Sequence, residues 1–160
     1  LVHQPDLRLI LLWRGYQRRQ LDRLLRRKNI GPRVEVIETW TDVRSLLARC
    51  HAAVALAAHN RLLKAYPHSL LESLAAGRPV ILSETLALSD EVRDHQAGEV
   101  VADLTLPALN SAVASLRRRY AQAAQAAARL GREFDRTAML DQYRRLFTAG
   151  GSDHPTGDNR

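Results

Sequence analysis

One stretch, residues 52–80 (AAVALAAHNRLLKAYPHSLLESLAAGRPV), restricts the fold of this chain more than any other. Residues 52–57 form an apolar run too short for a helix, and such runs read as buried strands. Pro67, His68 and Ser69 then punctuate the chain, with Ser69 placed to cap a helix. Leu70, Leu71, Leu74 and Ala75 recur at helical spacing, and Gly77 stands where a left-handed residue closes a helix. Pro79 opens a second apolar run, Val80 to Leu82. Strand, loop, helix and strand of these lengths make a βαβ unit with parallel strands. Ligands of such sheets bind beyond the carboxyl ends of the strands. His59, Asn60, Arg61, Lys64, Tyr66 and His68 therefore line the mouth of a crevice. Helix-terminal amides and the dipole behind them favour an anion there. Two cations and two imidazoles beside that helix end suit a pyrophosphate, or are solvent-exposed loop residues. Glu72 is expected in the first helical turn, where it either complements the dipole or accepts hydrogen bonds from vicinal hydroxyls.

The flanking sequence extends the same pattern. Residues 8–13 (RLILLW) are continuously apolar, as interior parallel strands are, and Trp13-Arg14-Gly15 forms the turn at their carboxyl end. Arg14 there either meets a phosphate or is simply exposed. Residues 16–29 read as a basic helix stopped by Gly31-Pro32, and residues 34–37 (VEVI) as a second strand. Residues 38–41 then line the same crevice edge, where Trp40 either stacks on a base or covers the sheet edge. Thr41 or Asp42 caps a helix running through Arg49. Ser89 caps a short helix carrying Glu91 and Val92, and residues 99–102 read as the last strand. From Leu106 an apolar stripe steps by three and four through Phe134, predicting one long helix or two nearly in line. A final helix carries Met139, Leu140, Tyr143, Leu146 and Phe147, and residues 150–160 lack the apolar content to order themselves.

Charge narrows the partners. The chain carries 24 basic and 17 acidic residues, a surplus that raises the question of nucleic acid. Much of it lies in RGYQRRQLDRLLRRKNIGPR, where Leu21, Leu24 and Leu25 face one way and arginines occupy the remaining surface. That is a solvated helix face, or one that contacts anionic lipid headgroups. Tyr16, near its start, is the single aromatic residue of that run, too little for a base-stacking platform, so nucleic acid is not expected as a partner. The lone Cys50 excludes an internal disulfide and reads as a core residue. No apolar run approaches the ~20 residues that span a bilayer. No His, Asp and Glu spacing suggests a metal box.

The segment YPHSLLESLAAGRPVILSE resembles the donor-binding segment of family 4-type (group 1) glycosyltransferases of the GT-B fold. The resemblance runs from about Asp6 to about Phe147. It implies an α/β, Rossmann-like parallel sheet flanked by helices, with residues 1–149 as the donor-binding domain and 150–160 as a disordered tail. An acceptor-binding domain would precede this one, outside the chain. The family sets two glutamates around seven residues; Glu72 takes the second position, used on the ribose, and Lys64 takes the first, used on the transferred sugar. The resemblance thus makes Lys64 the catalytic candidate. The donor-binding candidates are Glu72, the amides near Ser69, Leu70 and Leu71, and His68, Arg61, Arg14, Gly15, Trp40 and Thr41. The family also shows a Gly-Gly turn after the second strand of the central unit, where this chain has Ser83-Glu84-Thr85-Leu86-Ala87. The implied reaction moves a sugar from a UDP- or GDP-sugar to a glycan or lipid-linked acceptor hydroxyl with retention, without metal or cofactor. The implied location is the cytoplasm, alone or with peripheral contact at the inner membrane face. The alternative is a non-catalytic module of the same fold that binds a nucleotide or a partner.

Overall fold

The computed structural model describes residues 4–64 and 66–135, with Thr137, Leu140, Asp141, Arg144 and Arg145. The expectations for residues 150–160 and for most of the final helix fall outside them. The described chain is α/β, with parallel sheets and flanking helices, and divides into two compact units, Leu1–Val43 and Arg44–Arg160.

In the first unit, β1 (Leu9–Leu12) leads to α1 (Arg18–Arg27), a 3-10 turn (Gly31–Arg33) and β2 (Val34–Ile37). β1 and β2 pair in parallel, with Leu9 opposite Val34. The basic helix is shorter than residues 16–29, and its end precedes Gly31-Pro32. Asn29 closes it in the left-handed region at φ 49. The Asn29 amide donates to Arg26 O at 3.0 Å and the Ile30 amide to Leu25 O at 3.1 Å, the paired bonds of a Schellman closure. The interior-strand reading of residues 8–13 does not hold. β1 is half-buried at best, Leu12 is 40% exposed, and no described residue of this unit is fully buried. Two strands and one helix offer too few layers to enclose side chains on both faces.

The second unit contains β3 (Ala53–Ala55), α3 (His68–Ala75), β4 (Val80–Ser83), α4 (Ser89–Asp94), β5 (Gly98–Val101), α5 (Leu106–Arg118) and α6 (Tyr120–Glu133). A short helix, α2 (Val43–Ala48), precedes them and ends before Arg49. The strands pair in parallel in the order β3-β4-β5. β4 is central and buried throughout. Strand alternation sends Val80 and Leu82 to a cluster with Leu70, Leu74 and Leu130, and Ile81 to another with Val101, Ala112 and Leu116. This sheet is therefore covered on both faces.

Two glycines permit that packing. A Cβ on Gly98 would stand 2.0 Å from the carbonyl oxygen of Val80, and one on Gly131 would stand 2.5 Å from the backbone of Leu74 and Ala75. Gly131 follows Ala126, Ala127 and Leu130 on the buried face of α6, so the α6 backbone lies directly against α3. The apolar stripe from Leu106 resolves into two helices broken at Arg119, whose guanidinium serves the break. It donates to Gln96 O at 2.8 Å and to Gly98 O, and pairs with the Glu99 carboxylate at 2.8 Å. Arg78 likewise donates to Leu47 O (3.2 Å), which also accepts the Cys50 amide, and to Ala48 O (3.4 Å) at the end of α2. Cys50 is half-buried and is the chain's only thiol.

Candidate functional site

The geometry begins with the helix that the sequence places at the crevice. Ser69 is not its cap. Pro67 holds that position with φ −64 and ψ 125, and no side-chain bond closes the turn. Its fixed φ preorganises the entry, and its carbonyl accepts from both Leu70 N–H (2.9 Å) and Leu71 N–H (3.2 Å). The amides of Leu70 and Leu71 are thus engaged, and Leu70 is buried in the core. The donors this end can offer belong to His68 and Ser69. At the other end Gly77 fulfils its reading, with φ 68 and two closing bonds, Gly77 N–H to Leu74 O (2.9 Å) and Arg78 N–H to Ser73 O (2.8 Å).

Because the helix begins at His68, Glu72 is its fifth residue and lies beyond the first turn, contrary to expectation. Helix-dipole effects fade within one turn, so complementing the dipole does not account for this residue. Its carboxylate is exposed and has no hydrogen bond or ion pair among the described residues. Lys64, Arg61, His59 and His68 share that condition.

Beyond the carboxyl ends of β3 and β4 lies a cleft of about 550 Å³, lined by Asn60, Glu84, Thr85, Leu86, Ala87, Ser89 and Asp90. The strand read over residues 52–57 stops at Ala55, and side chains take over its ladder. Ser83 Oγ accepts the Ala57 amide at 2.7 Å, and Thr85 Oγ1 donates to Ala57 O at 3.0 Å. Ser89 does not cap α4, whose N-cap is Leu88; its hydroxyl donates to Glu84 O at 3.1 Å. Arg93 donates to Glu84 (2.8 Å) and to Asp90 (2.7 Å), so one guanidinium serves two carboxylates at the cleft. The cleft therefore suits hydroxyl groups better than a diphosphate.

Tyr66 joins that loop to α4. Its hydroxyl donates to Glu91 Oε1 at 2.6 Å, and its ring packs against Phe134 with centroids 5.9 Å apart. The bond to the carboxylate, followed by desolvation and the charges of Glu91 and Asp90, raises the Tyr66 pKa above the ordinary phenol value. Sequence reasoning missed this pair, and it missed Asp90 at the cleft. The reading of this helix stopped at Ser89 as its cap, and the two acids that follow it, Asp90 and Glu91, carried no assignment.

The remaining candidates belong to the first unit. Arg14 donates to the carbonyls of Trp13 (3.1 Å), Ile37 (3.3 Å) and Thr39 (3.0 Å), joining the turn after β1 to the one after β2. Gly15 is exposed in the first of these turns, Trp40 is 89% exposed in the second, and Thr41 beside it is half-buried. Arg61, Lys64, His68 and Glu72 are absent from the cleft lining, whereas Asn60 belongs to it. Among the described residues no group of three or more His, Cys, Asp or Glu side chains could hold a metal ion. No helix there is long and apolar enough to cross a membrane.

The family model described as glycosyl transferases group 1 matches residues 1–119. The chain belongs to this family. Among solved structures it is similar to sucrose-phosphate synthase from Thermosynechococcus elongatus, at 23% identity and a TM-score of 0.65, over 84% of this chain and 35% of that protein. It is also similar to AviGT4, a glycosyltransferase involved in avilamycin A biosynthesis, at 26% identity and a TM-score of 0.51, over 89% of this chain and 43% of that one. It spans less than half of either protein, and the likeness is to GT-B glycosyltransferases. No curated protein matches. The turn after β4 is one whose Ser83 and Thr85 hold the neighbouring strand.

Proposed function

We propose that this chain is the donor-binding part of a retaining glycosyltransferase that takes a nucleotide-diphosphate sugar such as a UDP- or GDP-sugar. The observation that carries the reading is Glu72, an exposed carboxylate with no protein partner among the described residues and no role at the helix dipole. Two vicinal hydroxyls of a ribose would satisfy it by charge-assisted hydrogen bonds. Arg61 and Lys64, with the His68 and Ser69 amides, would face the diphosphate and stabilise the charge that develops as the glycosidic bond to phosphate breaks. The polar groups of the cleft, Asn60, Thr85 and Asp90, would meet sugar hydroxyls. The acceptor hydroxyl, on a glycan or a lipid-linked sugar, would come from outside this chain. The protein would act without metal, in the cytoplasm.

Calorimetric titration with UDP, GDP and their glucose and mannose conjugates tests the proposal. One diphosphate series should bind, and Glu72→Ala should weaken it about tenfold or more, equivalent to about 1.4 kcal/mol. Ser83 to Ala87 where the resemblance implies a Gly-Gly turn, with Lys64 where it implies a glutamate, favour a second reading, a module that binds a nucleotide or a partner without turnover. Absence of binding by the unaltered chain would favour that second reading.

A further inference from the structure

The face of α1 that points away from β1 and β2 is cationic to a degree the fold does not require. Arg19, Arg23, Arg26 and Arg27 are all exposed, and none has a carboxylate partner among the described residues. At 3.6 residues per turn they share an arc of about 100°. Arg18, off that arc, is the one that is paired, to Asp22 at 3.1 Å and Glu38 at 2.8 Å. Arg26 and Arg27, in the last turn, complement the helix dipole, but the rest of the arrangement works against the helix. Arg19 and Arg23, and Arg23 and Arg27, are like charges four residues apart, and Arg18 and Arg19 begin the helix at its positive end with no acid in the first turn. Local rules broken together on one exposed face mark a surface made for something other than stability.

We infer that this face docks the protein on an anionic lipid bilayer, with the guanidinium groups at phosphate level. Charge complementarity names the partner. Four guanidinium groups on a straight helix about 15 Å long can meet several headgroups of a flat surface at once. Leu24 borders the arc and is 42% exposed, and arginine stems lie well on an apolar boundary with their heads in the polar layer. Nucleic acid is the poorer match, because the helix carries no aromatic side chain and the single exposed Tyr16 ahead of it offers only one base a stacking face. The proposal is independent of the nucleotide-sugar site.

Co-sedimentation of the 160-residue chain with vesicles tests it, comparing phosphatidylcholine alone with equal parts phosphatidylcholine and phosphatidylglycerol. The chain should bind the anionic vesicles about tenfold more tightly or better, and lose them in molar salt. Replacing Arg19, Arg23, Arg26 and Arg27 by Gln should abolish the difference, and replacing all four by Lys should retain it. Arg23→Glu introduces attractive pairs with Arg19 and Arg27, so it should keep the helix folded, as circular dichroism would report, while weakening binding. Equal affinity for both vesicles, undiminished binding by Arg23→Glu, or displacement by single-stranded RNA at equal phosphate concentration would overturn the inference.

Discussion

The two units of this chain are built from the same parts and reach different interiors. Both pair parallel strands through an intervening helix, yet β4 is buried throughout while β1 has no fully buried residue. The difference lies in layers. The second unit sets α3 and α6 on one face of its sheet and α5 on the other, so side chains of alternating direction all find a core. The first has one helix for one face. An apolar run such as RLILLW records that a strand forms; how deeply it sinks depends on how many elements arrive to cover it.

Substitutions can break or sharpen that contrast. The largest effect is expected from Gly98→Ala, because the new methyl would meet the backbone of the central strand. Urea denaturation should show a loss of about 4 kcal/mol or failure to fold. A mild effect would mean that the second unit is not tightly packed. Next comes a matched pair. Leu74→Ala, at a fully buried site, should cost about 3 kcal/mol, whereas Leu12→Ala should cost under about 1. Equal losses would erase the distinction between the units. Arg119→Gln removes the Glu99 ion pair at a site about three-quarters buried and should cost about 1–2 kcal/mol, mostly through carbonyls left without donors. The smallest effect concerns pH. The Tyr66 pKa is raised on folding, so its stabilising contribution is complete below about pH 10 and is lost as pH rises through the folded value. Tyr66→Phe should flatten that alkaline decline slightly, since the side chain is partly exposed, and an unchanged melting curve above pH 10 would remove the pair from the account.

Much of this was legible in the residues, and the misses have causes. Gly77 announced its left-handed turn because glycine alone adopts it freely. Gln96 makes the same turn at φ 56, with Ala97 N–H to Val92 O at 2.9 Å, and no property of glutamine reveals it. Asn29 was masked by the stronger punctuation of Gly31-Pro32. Ser69 has a capping side chain but stands inside the helix, because Pro67 two residues earlier already fixes the entry. That shift of the helix start moved Glu72 out of the first turn, so a two-residue boundary removed the dipole role from it. The pairing of Tyr66 with Glu91 joins residues 25 apart and has no local signature. That the loop carrying Arg61 and Lys64 follows β3 was legible from strand order, whereas the lining of the cleft depended on side-chain directions that spacing does not encode.

The grip of Ser83 and Thr85 on both backbone groups of Ala57 has an evolutionary consequence. The chain leaves β3 from a pinned point and re-enters regular structure at Pro67, so the intervening segment resembles an interchangeable cassette between two fixed clips. Residues 58–64 can therefore change without disturbing the strand behind them, while Tyr66, tied to Glu91 and Phe134, must stay, which leaves a lineage free to try new ligands on an unaltered chassis.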